Sequence, residues 1–454
     1  MPSGMIKELS IEDINTRIDV ILTRALLTAS EGQESDPQKI YSDVKLHELV
    51  VQPIQDLCFE EVDSGTKNMF LSNDGALARC TKLLSPTDKA YTCRDCSPVI
   101  SFSLCEECLR NSRHFKHNHA PAIKKFKLFC HCGDTETYKL SPPCPTHEIS
   151  ESPTSVPLQF VKRISHIIRH LFECLELLCG EESSLDEYVK NRLITIENVK
   201  KFYDEYIPTG FIPEVEKQGA IMSTHGSCLL IFRPEFENPE NVYSCVRFAN
   251  PPGKLTDLLD HFKKCGYLCV MHRNTYENCH GFSFKIQKHI HDHLPGSGLQ
   301  CRVYSIHRLF FMKLSSVLIR FINETCLRKS ELCDLMSEIL FNETSLPEKF
   351  FFNRSLWKDI RYNLIYRVVL PTLFSRNGAH NLAKFYLQNF DRLYSELLVK
   401  SDLKHYLFRL ATQLVISKTQ FTFLVGNWLS FLRFFDFHFI LSKEVGIRKR
   451  RINI

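Results

Sequence analysis

The chain has 454 residues, 44% of them hydrophobic and 24% charged, an ordinary globular balance with room for two to four domains. A net charge of +5 is small for this length and gives no warrant for nucleic acid or membrane as the main partner. Nineteen cysteines are many. At metal spacing beside histidines they indicate reduced thiols and an intracellular chain, and residues 1–12 carry no apolar core of the signal-peptide type.

In chain order, Ile11 to Leu27 has helical period and ends in the polar stretch 30–37, giving a helical N-terminal region over 1–77. Residues 78–148 hold the densest feature. Cys80, Cys93, Cys96, Cys105, Cys108, His114, His117, Cys130, Cys132, Cys144 and His147 are eleven metal-type donors within 68 residues. Zinc takes four such donors in a tetrahedron, so three ions need twelve places. Eleven residues fill them if one thiolate bridges. Cys93, Cys96, His114 and His117 can make one site. Cys80, Cys105, Cys108 and Cys130 can make a second, and Cys132, Cys144 and His147 a third, with Cys108 as the natural bridge. No open coordination position is left for a catalytic water. A RING needs a final pair of C-x2-C knuckles, which this segment lacks. A nucleic-acid finger would rest on Lys124, Lys125, Phe126 and Lys127 alone, a patch that reads as a solvated edge.

The stretch 149–157 (ISESPTSVP) is a linker by composition and opens a segment of linker and helices over 149–225. Phe160, Val161, Ile164, Ile167, Ile168, Leu171 and Leu175 mark an amphipathic helix closed at Cys179 and Gly180. A second helix runs near Leu185 to Tyr206, and Pro208 to Gly226 reads as loop. The period changes at about 228. Leu229–Phe232, Val242–Phe248, Tyr267–Met271, Phe282–Ile286 and Cys301–Ser305 read as strands. Leu255, Leu258, Leu259 and Phe262 read as a helix capped by Gly266. Together these give a small α/β domain over 226–305. From 306 the chain is helical throughout, with breaks near Leu346 and Asn377, and 306–454 reads as a helical scaffold that is incomplete. The run Phe421–Leu441 is rich in Phe and Leu but holds Asn427, Arg433, Asp436 and His438, so it reads as a buried helix and not a membrane span. Its aromatics lie on nearly every face, so an exposed apolar surface near Trp428 and Phe435 is expected.

The donor order C-x12-C-x2-C-x8-C-x2-C-x5-H-x2-H-x12-C-x-C-G-D-x9-C-x2-H resembles the UBR box of the N-recognin E3 ubiquitin ligases. All eleven positions match, and residues 130–134 (CHCGD) stand where that family has C-D-C-G-D. The α/β segment is similar in place and outline to the family's ClpS-like domain. The segment from about 349, with Phe351, Asn353, Trp357, Leu370, Pro371 and Thr372, is similar to the start of its helical scaffold. The resemblance implies zinc as cofactor and recognition of proteins by a basic N-terminal residue. It also implies a much longer chain with a downstream RING that recruits a ubiquitin-charged E2 and no nucleophile on the ligase. No RING pattern occurs after residue 150.

Departures from the family pattern carry their own expectation. The family reads the cationic ligand with three acidic positions, of which Asp134 alone survives; the others are Val99 and His131. Each lost charged contact costs about 1.5–3 kcal/mol, so two cost roughly two to four powers of ten in affinity. In the ClpS-like pocket, Asn250 is the candidate for holding an α-amine, but Pro251, Pro252 and Gly253 follow it in place of an acid.

The sequence therefore predicts an α+β multidomain chain: a zinc-stapled UBR-box module, a degenerate ClpS-like α/β domain and an all-α scaffold. Its predicted role is recognition of a substrate or partner within an E3 ubiquitin ligase that serves ubiquitin-dependent degradation. The predicted partners are protein substrates or an adaptor, with an E2 only if a RING is supplied elsewhere, and no nucleic acid or membrane. The predicted location is cytoplasmic, and also nuclear if Arg448–Arg451 acts as an import signal. The alternative is a non-catalytic scaffold or pseudo-recognin that binds an adaptor and no N-degron.

Overall fold

A computed structural model describes residues 9–29, 38–71, 77–85, 87–96, 103–122, 128–133, 143–148, 156–195, 197–199, 226–233, 238–353 and 358–398. Helix α1 (Ile11–Thr28) starts where Ser10 Oγ accepts from the Asp13 amide. It buries Ile14, Ile18, Leu22, Ala25 and Leu26 along one stripe, as the sequence period requires. Shorter helices over residues 43–59 and 64–71 follow, and their Phe59 and Phe70 rings pack near Phe160 at centroid distances of 5.5 and 5.3 Å.

The cysteine-rich segment has little regular structure. Strand β1 (Leu83–Leu84) pairs with β5 (Leu128–Phe129), and β2 (Ala90–Cys93) lies between β3 (Leu104–Cys105) and β4 (His119–Pro121). Helix α2 (Leu158–Cys179) then crosses the core, burying Phe160, Ile164, Ile167, Ile168, Leu171 and Leu175, and it stops at Gly180. The following helix, Glu182–Tyr188, continues as a wider turn to Leu193. Residues 200–225 lie outside the described residues.

The α/β unit is a three-stranded antiparallel sheet of order β7-β6-β8, formed by β6 (Ser227–Phe232), β7 (Tyr267–Asn274) and β8 (Gln300–Ser305). Three helices join the strands: α3 (Pro239–Ala249), α4 (Leu255–Cys265) and α5 (Tyr276–His293). Two expected strands are thereby corrected. Val242–Phe248 lies in α3, where Asn238 caps the Glu240 amide, Pro239 opens the first turn, and Val242, Cys245, Val246 and Ala249 bury one helical face. Phe282–Ile286 lies in α5, capped by Thr275, with Cys279, Ser283, Ile286 and Ile290 on the buried side. In both segments cap and helical spacing outweigh the β-preferring residues. Gly266 does cap α4, at φ +74°.

The sheet is covered on both faces, which explains the unbroken apolar run of β6. Leu229, Ile231, Leu268, Val270 and Cys301 face α3–α5. Cys228, Leu230, Phe232, Tyr267 and Cys269 join the core of the helical body.

Helix α6 (Ile306–Cys326) leads from β8 into that body. Further helices cover Ser330–Glu338, Leu346–Phe352, Lys358–Leu364, Arg376–Gln388 and Phe390–Leu398. The breaks before Leu346 and Arg376 match the sequence reading, and another falls at 327–329. The body's core runs from Ile14 through α2 and α6 to Leu393. Among the described residues no helix is long and apolar enough to cross a membrane. The surface expected near Trp428 and Phe435 falls outside the described residues.

Candidate metal centre

Backbone geometry sets the donors before any ion is considered. Strand β2 delivers Cys93, and the turn after it is tied by Arg94 N–H to Asn118 C=O at 2.8 Å and by the Asp95 carboxylate accepting from Asn118 N–H at 2.9 Å. That clip holds the Cys93–Cys96 knuckle against the His114–His117 turn. Cys105 caps the short helix Glu106–Arg110, its sulfur accepting from Cys108 N–H at 3.4 Å. The Cys130 sulfur accepts from Cys105 N–H and the Cys132 sulfur from Cys144 N–H, both at 3.2 Å. Such N–H···S bonds favour thiolate and fix its direction. A single turn over Pro145–His147 swings His147 back towards Cys144.

Three sets of four result. Cys80, Cys105, Cys108 and Cys130 form one; Cys93, Cys96, His114 and His117 the second; Cys108, Cys132, Cys144 and His147 the third. Within each set the ligand atoms lie within 4.8 Å of one another, and Cys108 belongs to two sets. His117 Nδ1 stands 3.6 Å from Cys93 Sγ and 3.1 Å from Cys96 Sγ. His147 Nδ1 stands 3.1, 3.6 and 3.9 Å from the sulfurs of Cys144, Cys108 and Cys132. Tetrahedral zinc bonds imply a sulfur–nitrogen separation of about 3.6 Å, so the donor sets fit the ion in type, number and spacing.

The charges also call for a cation. Hydrogen bonding, first from Cys105, drives the Cys80 thiol far down, and bonding from Cys108 brings Cys132 to about 4. The same contacts, led by Cys105, push Cys108 and Cys130 well up. Cys105 falls to about 7 through its bond with Cys108, and His147 rises to about 11 through its bond with Cys132. Sulfurs this close cannot all carry charge without a countercharge. A divalent ion at each centre would let all ionise. Burial lowers the His114 pKa and favours the neutral imidazole a ligand needs, whereas His147 must give up its proton to hold an ion.

Gly133 closes the third set sterically. Its φ is +78°, and a Cβ there would lie 2.1 Å from Ala78 O. The close approach goes with the bond from Cys80 N–H to Cys132 C=O at 3.0 Å.

The other singled-out residues divide. His131 is 4% exposed, and its Nδ1 lies 3.2 Å from Ser103 N and 3.1 Å from Ser103 O. The imidazole is therefore part of the module's interior. Val99, Asp134, Lys124, Lys125, Phe126 and Lys127 lie outside the described residues. Asn250 does not end a strand. It sits in the left-handed conformation at the C-terminus of α3, its N–H bonded to Val246 C=O at 2.9 Å, a place Asn tolerates well. The residue after strand β6 is Arg233, whose guanidinium donates to Phe262 C=O at 2.9 Å and Lys263 C=O at 2.6 Å at the end of α4.

Sequence reasoning missed the anchors of the module. Leu83 and Phe129 pack on the helical core. Phe129 meets Phe374 edge-on at 4.9 Å, and the Arg79 guanidinium lies 4.4 Å over the same ring. Only the apolar pair Leu128–Phe129 directly before Cys130 hinted at it.

Comparison with known proteins agrees with the donor pattern. Residues 79–147 match the family model zf-UBR, the zinc finger in N-recognin (UBR box). The chain is similar to E3 ubiquitin-protein ligase UBR1 of Mus musculus, at 28% identity over 130 residues, 27% of this chain and 7% of the relative. It is similar to E3 ubiquitin-protein ligase UBR2 of Homo sapiens, at 30% over 122 residues, again 27% and 7%. It is also similar to E3 ubiquitin-protein ligase Ubr3 of Drosophila melanogaster, at 25% over 202 residues, 40% of this chain and 9% of the relative. The matched part of the chain thus spans less than a tenth of the length of these relatives. Residues 79–147 are a zinc-binding box of this type, with its Cys and His donors gathered as described.

Proposed function

The chain belongs to the UBR-box N-recognin family, and on that premise we propose that it recognises a protein partner for an E3 ubiquitin ligase. Its box holds three zinc ions, with Cys108 bridging two. One observation carries the reading: eleven donors converge into three four-donor sets that share Cys108. Each ion would staple segments distant in sequence. None of the three sets keeps a place for a reacting water, which favours recognition over metal-based hydrolysis.

The basic N-degron pocket is reduced. His131 supports this reading, because an imidazole bonded to the Ser103 backbone replaces a carboxylate that would face a cation. In the α/β unit the pocket candidate Asn250 caps a helix, and the residue directly after the first strand is Arg233, a cation that would repel an α-amine. Both substitutions favour a chain that binds a substrate through an adaptor, or an internal protein segment, over one that reads a free N-terminus. Ubiquitin transfer would require an E2 and a RING contributed outside residues 1–454.

The test is binding of labelled peptides that differ only in their first residue. An Arg-initiated peptide should bind within about tenfold of its Gly counterpart. Micromolar, Arg-selective binding by the unaltered chain would overturn the reduced-pocket reading.

A further inference from the structure

The α/β unit leaves one edge of its sheet open, and the opening lies in a groove. Strand β8 pairs with β6 in register from Ser227↔Ser305 to Phe232↔Gln300, without a bulge. Ile306 N–H donates to Gly226 C=O at 3.1 Å, which fixes the parity of the ladder. Residues 300, 302 and 304 therefore turn their peptide groups towards β6, whereas 301 and 303 turn theirs outward. Gln287 Nε2 donates to Cys301 C=O at 2.9 Å from the outer side, as this parity requires. Among the described residues, nothing engages the N–H and C=O of Val303.

This edge lines a groove of about 800 Å³ between α5 and the start of the helix after α2. On the α5 side stand Tyr276, His280 and Phe284, one stripe at four-residue spacing, with Tyr276 59% and Phe284 65% exposed. Towards the helical body stand Arg302, which also donates to Gln300 Oε1 at 2.8 Å, and the buried Arg308, which donates to Leu178 C=O at 3.2 Å, with Glu181 the single carboxylate of the lining. Side chains alternate along a strand, so the two walls address alternate residues of whatever lies on the edge.

We propose that β8 and this groove form a docking site for an extended peptide segment, added as a fourth strand, in which apolar residues alternate with acidic ones. An extended backbone offers a donor and an acceptor together at the spacing of Val303 and can continue along the groove. Its apolar side chains would lie on Tyr276 and Phe284, and its acidic ones would face Arg302. Such a segment is read from its interior. The site is thus independent of any N-terminal recognition by the zinc box, and its failure would leave that reading intact.

The experiment uses the full zinc-loaded chain and N-acetylated hexapeptides, which have no free α-amine. The probe is fluorescent Ac-Glu-Val-Glu-Phe-Glu-Val. The expected result is saturable binding, at least about tenfold weaker when lysine replaces glutamate and abolished when proline replaces the central residues. Saturation should slow hydrogen exchange at the Val303 amide. The double variant Phe284→Ala, Arg302→Glu alters only groove-facing side chains and should weaken binding by about tenfold or more. Absence of saturable binding, equal binding of the lysine peptide, or full binding by the double variant would overturn the proposal.

Discussion

Among the described residues of the zinc box the buried apolar side chains are Leu84, Leu104, Leu109, Ala90 and cysteines, whereas the helical body has one apolar core that extends from Ile14 to Leu393. Three buried leucines contribute roughly 5–9 kcal/mol. Ordering the segment costs about 1–2 kcal/mol for every residue fixed. Packing alone cannot hold the box, so metal must supply the difference. In the body, α1 and α6 each bury an apolar face against α2, and packing carries the stability. Among the described residues the two regions meet through Leu83, Phe129 and Arg79. Their buried cores are separate clusters, which implies that each region melts by its own mechanism.

The largest expected effect follows from removing zinc. Structural zinc sites contribute on the order of 10–16 kcal/mol, so a chelator should collapse exchange protection over 80–147. Protection in α2 and α6 should persist. Simultaneous loss in both regions would make them one cooperative unit and break the contrast.

Gly133→Ala should act next. The added methyl meets Ala78 O in a backbone conformation that L residues avoid. Bound zinc, read by mass spectrometry, should fall by one ion or more while the helical body keeps its protection. Phe160→Ala should do the converse. The side chain is fully buried among Phe59 and Phe70, so the variant should lose about 3–5 kcal/mol in urea titration and keep its zinc.

The smallest effect lies at the buried joint between α1 and α2. His170 Nε2 lies 2.9 Å from Asp19 Oδ1, which also accepts from Tyr188 Oη, while Arg192 donates to Asp19 Oδ2. Burial opposes the imidazolium, but the bonds to Asp19 and Glu173 outweigh it and hold the His170 pKa above its ordinary value. A raised folded pKa gives stability that is complete below the unfolded value, about 6.5, and is lost as pH rises through the folded one. The melting temperature should therefore fall as pH rises out of the histidine range, and His170→Gln should flatten that slope. Equal slopes would remove His170 from the account.

The two regions also differed in how far their sequence could be read. Donor spacing revealed the box because each ligand type must recur at fixed offsets, and Cys108 stood between two otherwise incomplete sets. The long helices were legible through their apolar stripes, as in Phe160–Leu175. The α/β unit was the least legible. Val242–Phe248 and Phe282–Ile286 carry β-preferring residues, and only the caps at Asn238 and Thr275 revealed helices. The same error made Asn250 a pocket candidate, although it caps α3. Burial of His131 on Ser103 could not be read either, because it depends on a contact 28 residues away.

Native mass spectrometry of the reduced, folded chain tests the central claim most directly. The account predicts three zinc ions per chain, with Cys108→Ala disrupting two sites and unfolding the box, and Cys80→Ala removing a ligand from one site only. Two ions or fewer in correctly folded protein, or equal losses from the two variants, would contradict a bridged, metal-held box.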